Sequence, residues 1–205
     1  MTIRKSNGTL GTVLHTSNPV ERISSFGETI IDTFRNEYDF LSNFFGASLI
    51  WKMQTFSTSE HAYQWEKTDN PIEKESILFN RGQHLSGKGS FLIPTTPGQA
   101  KRKGDLVTLR DDWEDVRLDI MYEILKAKFT QNWDLRQKLV NTGDALLIEG
   151  NTWCDNFWGQ CTCEKCQKKE KLNVLGKLLM RLRTELSNPS KVYCLGCPVA
   201  LDDKL

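Results

Sequence analysis

The sequence predicts a mainly α-helical domain with a few short β-strands. Apolar residues recur at helical spacing along residues 111–129 and again along 173–186. Residues able to cap a helix stand before the periodic stretches, at Ser57, Asp111, Asn132 and Asn173. The β-branched and aromatic runs, by contrast, are short and bounded by turn residues.

Residues 1–28 are rich in Gly, Ser, Thr and Asn without a period, and are expected to form an extension that drapes over the domain or frays. Thr29–Phe34 and Ser48–Phe56 favour short strands. Ser57 and Glu60 have the spacing of a capping box and open a helix through about Thr68, stopped by Asp69-Asn70-Pro71. A second helix is expected over Ile72–Asn80. Residues 81–99, glycine-rich and with two prolines, are expected to be largely loop.

Asp111 and Glu114 begin the strongest helix, which runs to about Phe129. Trp113, Val116, Ile120, Ile124 and Ala127 form one apolar stripe, and Leu118, Met121, Leu125 and Phe129 a second. Two stripes imply a central helix buried on two sides. Asn132 caps a helix through Val140, and Ala145–Glu149 reads as a short buried strand or strand-like turn. Asn173 caps the final helix, with Val174, Leu175, Leu178, Leu179, Leu182 and Leu186 facing the core and Pro189 beyond its end.

Composition narrows the function classes. The chain has 205 residues, 39% hydrophobic and 26% charged, which fits one folded domain and excludes wholesale disorder. Lys plus Arg number 27 and Asp plus Glu 26, so the strong basic excess of a dedicated duplex-binding domain is missing. No apolar run approaches the roughly 20 residues of a membrane span, and residues 1–30 hold no secretory pattern. A cytoplasmic protein is expected, with no membrane partner. In that compartment the six cysteines point to metal or chemistry rather than disulfides. Walker A, G-x-G-x-x-G, G-x-S-x-G and H-E-x-x-H patterns are all missing, which argues against kinase, dinucleotide oxidoreductase, α/β-hydrolase and zinc-protease chemistry.

Four segments concentrate reactive side chains. Glu60, Gln64 and Lys67 fall at i, i+4 and i+7, on one face of a helix. They read either as an acid and an amine with an orienting amide, or as a solvated face held by helix pairs. Tyr63 and Trp65 on the same helix read as packing. Ile148–Gly159 gathers two carboxylates, Glu149 and Asp155, with Trp153 and Trp158, between a strand and a helix. It is either a binding loop or a surface loop pinned by its tryptophans. Ser42 and Asn43 interrupt the apolar run Phe40–Phe45, as site residues or as a turn cap.

The cysteines supply the fourth. Cys163-x-x-Cys166 and Cys194-x-x-Cys197, separated by a helix, have the form of a structural zinc site, with Cys161 as an alternative ligand. Such a site would staple the tail 188–205 to 161–166. Cys154 falls outside the pattern and reads as packing. From Glu164 to Arg183 seven basic and two acidic residues give a local charge of +5, a solvated helix face or a phosphate contact.

Phe40-Leu41-Ser42-Asn43-Phe44 and Thr58-Ser59-Glu60-His61-Ala62-Tyr63-Gln64-Trp65-Glu66-Lys67 resemble the N-terminal motifs of the NADAR (YbiA-like) family. Arg110-Asp111-Asp112-Trp113-Glu114, Ala127-Lys128-Phe129, Thr142-Gly143, Glu149, Asp155, Trp158-Gly159 and Asn173-x-Leu175-Gly176 follow in the family's order. The resemblance covers about residues 32–186 and sets the domain at 29–187. Gly104-Asp105 departs from the family's frequent Gly-Arg, which weighs against a phosphate contact there. The cysteine cluster occurs only in some members.

The resemblance implies an orthogonal helical domain of the YbiA-like type and an N-glycosidase that needs no catalytic cofactor. Substrates of that family are phosphoribosylamino-pyrimidines of riboflavin synthesis and ADP-ribose attached to guanine. By similarity, Lys67 is the Schiff-base amine and Glu60 the proton donor and acceptor, with Asp155 able to stabilise the ribosyl cation. Trp113 or Trp158 is expected to stack a base or wall the pocket, and Ser42, Asn43 and Gln64 to hold sugar hydroxyls. Glu149 and Asn173 complete the expected substrate-binding set. The local +5 favours removal of ADP-ribose from guanine in DNA over the riboflavin intermediate. A non-catalytic ADP-ribose or nucleotide binder is the competing class, and it has no need for both Lys67 and Glu60.

Overall fold

The computed structural model describes residues 21–23, 29–83 and 90–188. Strand β1 (Glu21–Ile23) pairs antiparallel with β2 (Thr29–Ile31), so part of the expected extension is a strand of the domain. A 3-10 turn over Asn36–Leu41 buries Phe40 and Leu41. Strands β3 (Leu49–Trp51) and β4 (Gln54–Phe56) form a hairpin whose turn residues, Lys52 and Met53, both take positive φ.

Helix α1 (Ser59–Glu66) starts one residue later than the sequence predicts. Thr58 is its N-cap and accepts the backbone N–H of His61 at 3.2 Å. With Thr58 as cap, Glu60 stands at the second helical position and its carboxylate is not recruited into a capping box. Helix α2 (Pro71–Leu78) has Asn70 as cap and Pro71 at its first turn.

The expected loop over 81–99 is largely regular. Strands β5 (Phe79–Gln83) and β6 (Ser90–Pro94) pair antiparallel, and helix α3 (Pro97–Gly104) follows with a complete Thr96–Gln99 capping box. Glycine and proline there sit where they do no harm. Gly82 faces the Phe91 ring, Pro94 ends its strand, and Pro97 opens its helix.

Helix α4 (Trp113–Gln131) is the central element and packs against α1, β3, α5 (Trp133–Asn141) and α6 (Val174–Ser187). Its cap is Asp112 rather than Asp111, and the Asp112 carboxylate pairs with Arg110 instead of closing the helix end. Met121, Ile124, Leu125 and Phe129 are buried, whereas Leu118 of the second stripe is exposed. Lys128 is wholly buried among them. The Asn132 side chain, expected to cap α5, donates instead to the carbonyls of Ser48 and Lys128 at 2.9 and 2.8 Å.

Strand β7 (Leu146–Leu147) runs parallel to β2, with Ile30 opposite Leu146 and Ile31 opposite Leu147. Beyond it β8 (Gly150–Asn151) and β9 (Gln160–Cys161) pair in parallel, and α6 buries Leu175, Leu179 and Leu182 against β7, α4 and α5. The fold is mainly helical, with nine strands of two to five residues among the described residues. None of those helices is long and apolar enough to cross a membrane.

Candidate active site

A cavity of about 470 Å³ opens between α1, α3, α4 and the segment that follows β7. Its walls carry Ser42, Asn43, Glu60, Gln64, Glu149, Asp155 and Trp158, all anticipated from the sequence, with Trp153 of the same candidate loop, together with Lys101 and Arg35, which were not. Three of the expected residues, Trp113, Asn173 and Lys67, stand elsewhere. Trp113 is buried behind the wall, its ring 5.1 Å from that of Tyr63, which does line the cavity. Asn173 is also buried and supports Glu149, as its side chain accepts the Glu149 N–H at 3.1 Å and donates to the Leu147 carbonyl at 2.9 Å.

Lys67 stands outside the cavity wall. Its Nζ donates to the Gly104 carbonyl and to Asp105 Oδ1, both at 3.2 Å, and so joins the end of α1 to the end of α3. Lys101, one turn earlier on α3, faces the cavity instead. Sequence patterns could not find it, because the segment reads as loop until the Thr96 cap is recognised. Gly104 explains the close approach of the two helices. A methyl group there would collide with the Gln64 side chain.

Helix α1 presents its two outer carboxylates to different tasks. Glu66, almost fully buried, accepts from Trp51 Nε1 at 2.5 Å, Lys52 at 2.9 Å and Arg110 at 3.4 Å. It anchors the helix to the β3–β4 hairpin. His61 does the same toward Thr58 and the Thr95 carbonyl. Glu60, on the cavity side, receives a side-chain hydrogen bond from Gln64 Nε2 at 2.8 Å. Burial raises its pKa above the ordinary carboxylate value, and the Gln64 bond and the charges of Lys101 and Lys67 pull it back.

Glu149 is poised differently. Burial first, and then the like charges of Asp155 and Glu60, lift its carboxyl to about 7. A carboxyl titrating near neutrality is suited to give a proton and take it back. Asp155 Oδ1 accepts the N–H groups of Phe157 and Trp158 at 3.1 and 2.9 Å, so it shapes its own turn while facing the cavity. Asn43 Oδ1 and Gln64 Oε1 are buried without a hydrogen-bond partner in residues that line the cavity. Unpaired buried acceptors of this kind suit the hydroxyl groups of a sugar.

Lys128 sets the opposite wall. Its Nζ donates to the carbonyls of Phe40 and Ser42 at 2.7 and 2.8 Å, which fixes the turn carrying Ser42 and Asn43. Burial pulls this ammonium down to about 7.

Beside the cavity, Cys154, Cys161, Cys163 and Cys166 place their Sγ atoms within 4.8 Å of one another, a donor set able to hold one metal ion. Cys154, expected only to pack, belongs to the cluster, because a turn at Cys154 with φ +67° brings it back over β9. Cys194 and Cys197 lie outside the described residues.

The NADAR domain model matches residues 31–187, three quarters of the chain and all of the cavity. The chain belongs to the NADAR family. Relatives that match along most of their own length are an N-glycosidase of Nostoc punctiforme and the N-glycosidase YbiA of Escherichia coli. The first is 34% identical over 74% of this chain and 87% of the relative. The second is 32% identical over 78% and 90%. This NADAR chain also matches the riboflavin biosynthesis protein PYRR of Zea mays, at 33% identity over 64% of the chain, and spans only 20% of that relative's length. The solution structure of E. coli YbiA superposes with a TM-score of 0.59 at 28% identity, covering 82% of this chain and 93% of the other. The two proteins therefore share the NADAR fold.

Proposed function

We propose that this NADAR protein is a hydrolase that cleaves the bond between ribose C1 and a nucleobase nitrogen, removing ADP-ribose from guanine in nucleic acid. The observation that carries the reading is the meeting of Glu149, Glu60 and Lys101 in one cavity, with the Glu149 carboxyl at about 7. Exposed aromatic faces at the cavity, Trp153 and Phe44, support binding of a base, and Arg35 and Lys101 support binding of a diphosphate. Lys168 and Lys169, just after the cysteines, and Lys165, between Cys163 and Cys166, are exposed and suit a polymer of phosphates.

In this mechanism an unprotonated lysine adds to ribose C1 while the C1–N bond breaks and Glu149 protonates the departing base. The sugar ring opens to a C1=N Schiff base, its O4 taking a proton. Water, deprotonated by Glu60 or by the ionised Glu149, adds to C1 and releases the sugar, which regenerates the amine. Glu60 and Asp155 stabilise the positive charge that builds on the ribose. The cavity supports Lys101 as this amine, with Lys67 holding α1 against α3. The family resemblance supports Lys67 itself. No cofactor takes part, and a metal at the cysteines is a structural zinc, since four thiolates close its coordination shell.

Borohydride added during turnover, followed by peptide mapping, separates the two amines. An adduct on Lys101 is the expected result, an adduct on Lys67 restores the family assignment, and no adduct removes the Schiff base. The names of the maize and Vibrio vulnificus relatives, both riboflavin biosynthesis proteins, favour a second substrate, the phosphoribosylamino-pyrimidine. Mass spectrometry of products from both substrates decides. A DNA substrate should also lose rate with added salt and with charge reversal at Lys168 and Lys169, whereas the small metabolite should not.

A further inference from the structure

We propose that Cys154, Cys161, Cys163 and Cys166 bind a single zinc ion that clamps the cavity wall at Trp153–Asp155, so that loading of the ion sets substrate affinity. The geometry suits one tetrahedral ion. Zinc–sulfur bonds of about 2.3 Å place tetrahedral sulfurs about 3.8 Å apart. Cys154 and Cys163 Sγ are 3.4 Å apart and all four lie within 4.8 Å. All four are free thiols, and a disulfide would need about 2.0 Å. An iron–sulfur cluster distributes its thiolates over different irons and would hold them further apart.

The backbone is arranged for thiolates. The N–H groups of Cys154 and Cys163 both donate to Cys161 Sγ, at 3.2 and 3.4 Å. Two amides aimed at one sulfur offset negative charge there, which a neutral thiol does not require. Cys163 and Cys166 flank a 3-10 turn closed by the Cys166 N–H on the Cys163 carbonyl at 2.9 Å, so both thiols leave the same side. Cys154 adopts φ +67°, a conformation unfavourable for a residue with a Cβ. It faces its sulfur toward the other three, and a bound ion offsets that cost.

The position links the ion to the cavity. Cys154 stands between Trp153 and Asp155, which both line the cavity, while Cys161 closes β9 against β8, directly after Glu149. The Trp153 side chain is 59% exposed, so little packing of its own fixes it. The Asp155 backbone is held by Asn151 through bonds of 3.2 and 2.6 Å. One ion thus ties the tip of the 151–160 loop to its base. The effect on affinity rests on the glycosidase reading, whereas the binding of zinc does not.

The test uses the full chain. Metal analysis should find one zinc per chain, and cobalt exchanged into the site should give the sulfur-to-metal charge-transfer and d–d absorption of a tetrahedral tetrathiolate. Cys154 is exposed, so Cys154→Ser should fold normally yet bind zinc at least about tenfold more weakly. The Cys194→Ser/Cys197→Ser variant should keep its zinc. Full zinc affinity in Cys154→Ser, or loss of zinc in the 194/197 variant, overturns the ligand set. Removing zinc should change tryptophan emission in the parent protein and much less in Trp153→Phe, and should raise KM about tenfold. Stoichiometric zinc with Trp153 emission and KM both unmoved overturns the clamp. Zinc-dependent Trp153 emission in a protein without glycosidase activity would instead keep the clamp and remove the proposed reaction.

Discussion

Asn173 holds the backbone of Glu149: its Oδ1 accepts the Glu149 N–H at 3.1 Å while its Nδ2 donates to the Leu147 carbonyl at 2.9 Å. Asn173 takes φ +50° to do so, a conformation asparagine tolerates better than other residues with a Cβ. Asn173→Ala should lower stability by roughly 1–3 kcal/mol, the cost of leaving buried backbone groups unpaired. It should also reduce kcat more than it raises KM, because Asn173 positions Glu149 and stands off the cavity wall. Asn173→Asp keeps the acceptor but loses the donor and adds negative charge near Glu149. Its activity should therefore fall while the Glu149 limb of the pH profile moves upward. Thermal unfolding with steady-state kinetics on both variants checks this.

Glu149 at about 7 sets a limb of the pH–rate profile. As the proposed acid for the departing base it must be protonated, so kcat should decline as pH rises through about 7. Glu149→Gln should lose that limb and about 10²–10⁴ in rate. The stability consequence follows from linkage. Between the ordinary 4.5 and about 7 the folded chain holds this proton and the unfolded chain has released it. Stability therefore falls as pH rises across that window, by roughly 2 kcal/mol after allowing for solvent at the cavity mouth. Denaturation of the parent and of Glu149→Gln at several pH values should show the slope only in the parent.

Lys128→Met should cost roughly 2–4 kcal/mol, since it strands the buried carbonyl of Phe40 and the part-buried one of Ser42. The Ser42–Asn43 turn loosens with it, so KM should rise. The folded-state value of about 7 lies below the ordinary 10.5, so between them the unfolded chain holds the extra proton. That term makes stability rise with pH across the window, and the methionine variant should lack it.

Gly104→Ala drives a methyl group into the Gln64 side chain and displaces the amide that donates to Glu60 at 2.8 Å. A loss of about 1–3 kcal/mol is expected from overpacking. The Glu60 pKa should rise further, because the bond removed is one that stabilises its ionised form. Carboxyl titration followed by NMR, with thermal unfolding, would show both effects.

Much of the helical frame was legible because Ser, Asp or Asn stands at or next to the start of α1, α4, α5 and α6 and apolar spacing runs along α4 and α6, both local signals, even though the Asp112, Asn132 and Asn173 side chains bond elsewhere than to their helix ends. Helix α3 and the β5–β6 hairpin were not, because glycine and proline are weighed as breakers before their positions are known. The same omission hid Lys101. Lys128 was invisible for a different reason: a lysine beside an apolar stripe reads as solvated, and only the Phe40–Ser42 turn, far away in sequence, gives its ammonium acceptors. Trp113 read as a stacking face because its motif position is near the site, yet it packs behind Tyr63. Cys154 escaped because Cys-x6-Cys is no recognised ligand spacing, and the turn at Cys154 brings the thiol back.

The parallel register of Ile30 with Leu146 and of Ile31 with Leu147 has a consequence for how the chain acquires its chemistry. A ribosome delivers Glu60 and Lys101 long before Glu149, and until β7 docks beside β2 the later carboxylate is an ordinary hydrated acid with no neighbours to lift it. A half-made chain carries Glu60 and Lys101 without Glu149, so the proposed proton transfer has to await the later segment.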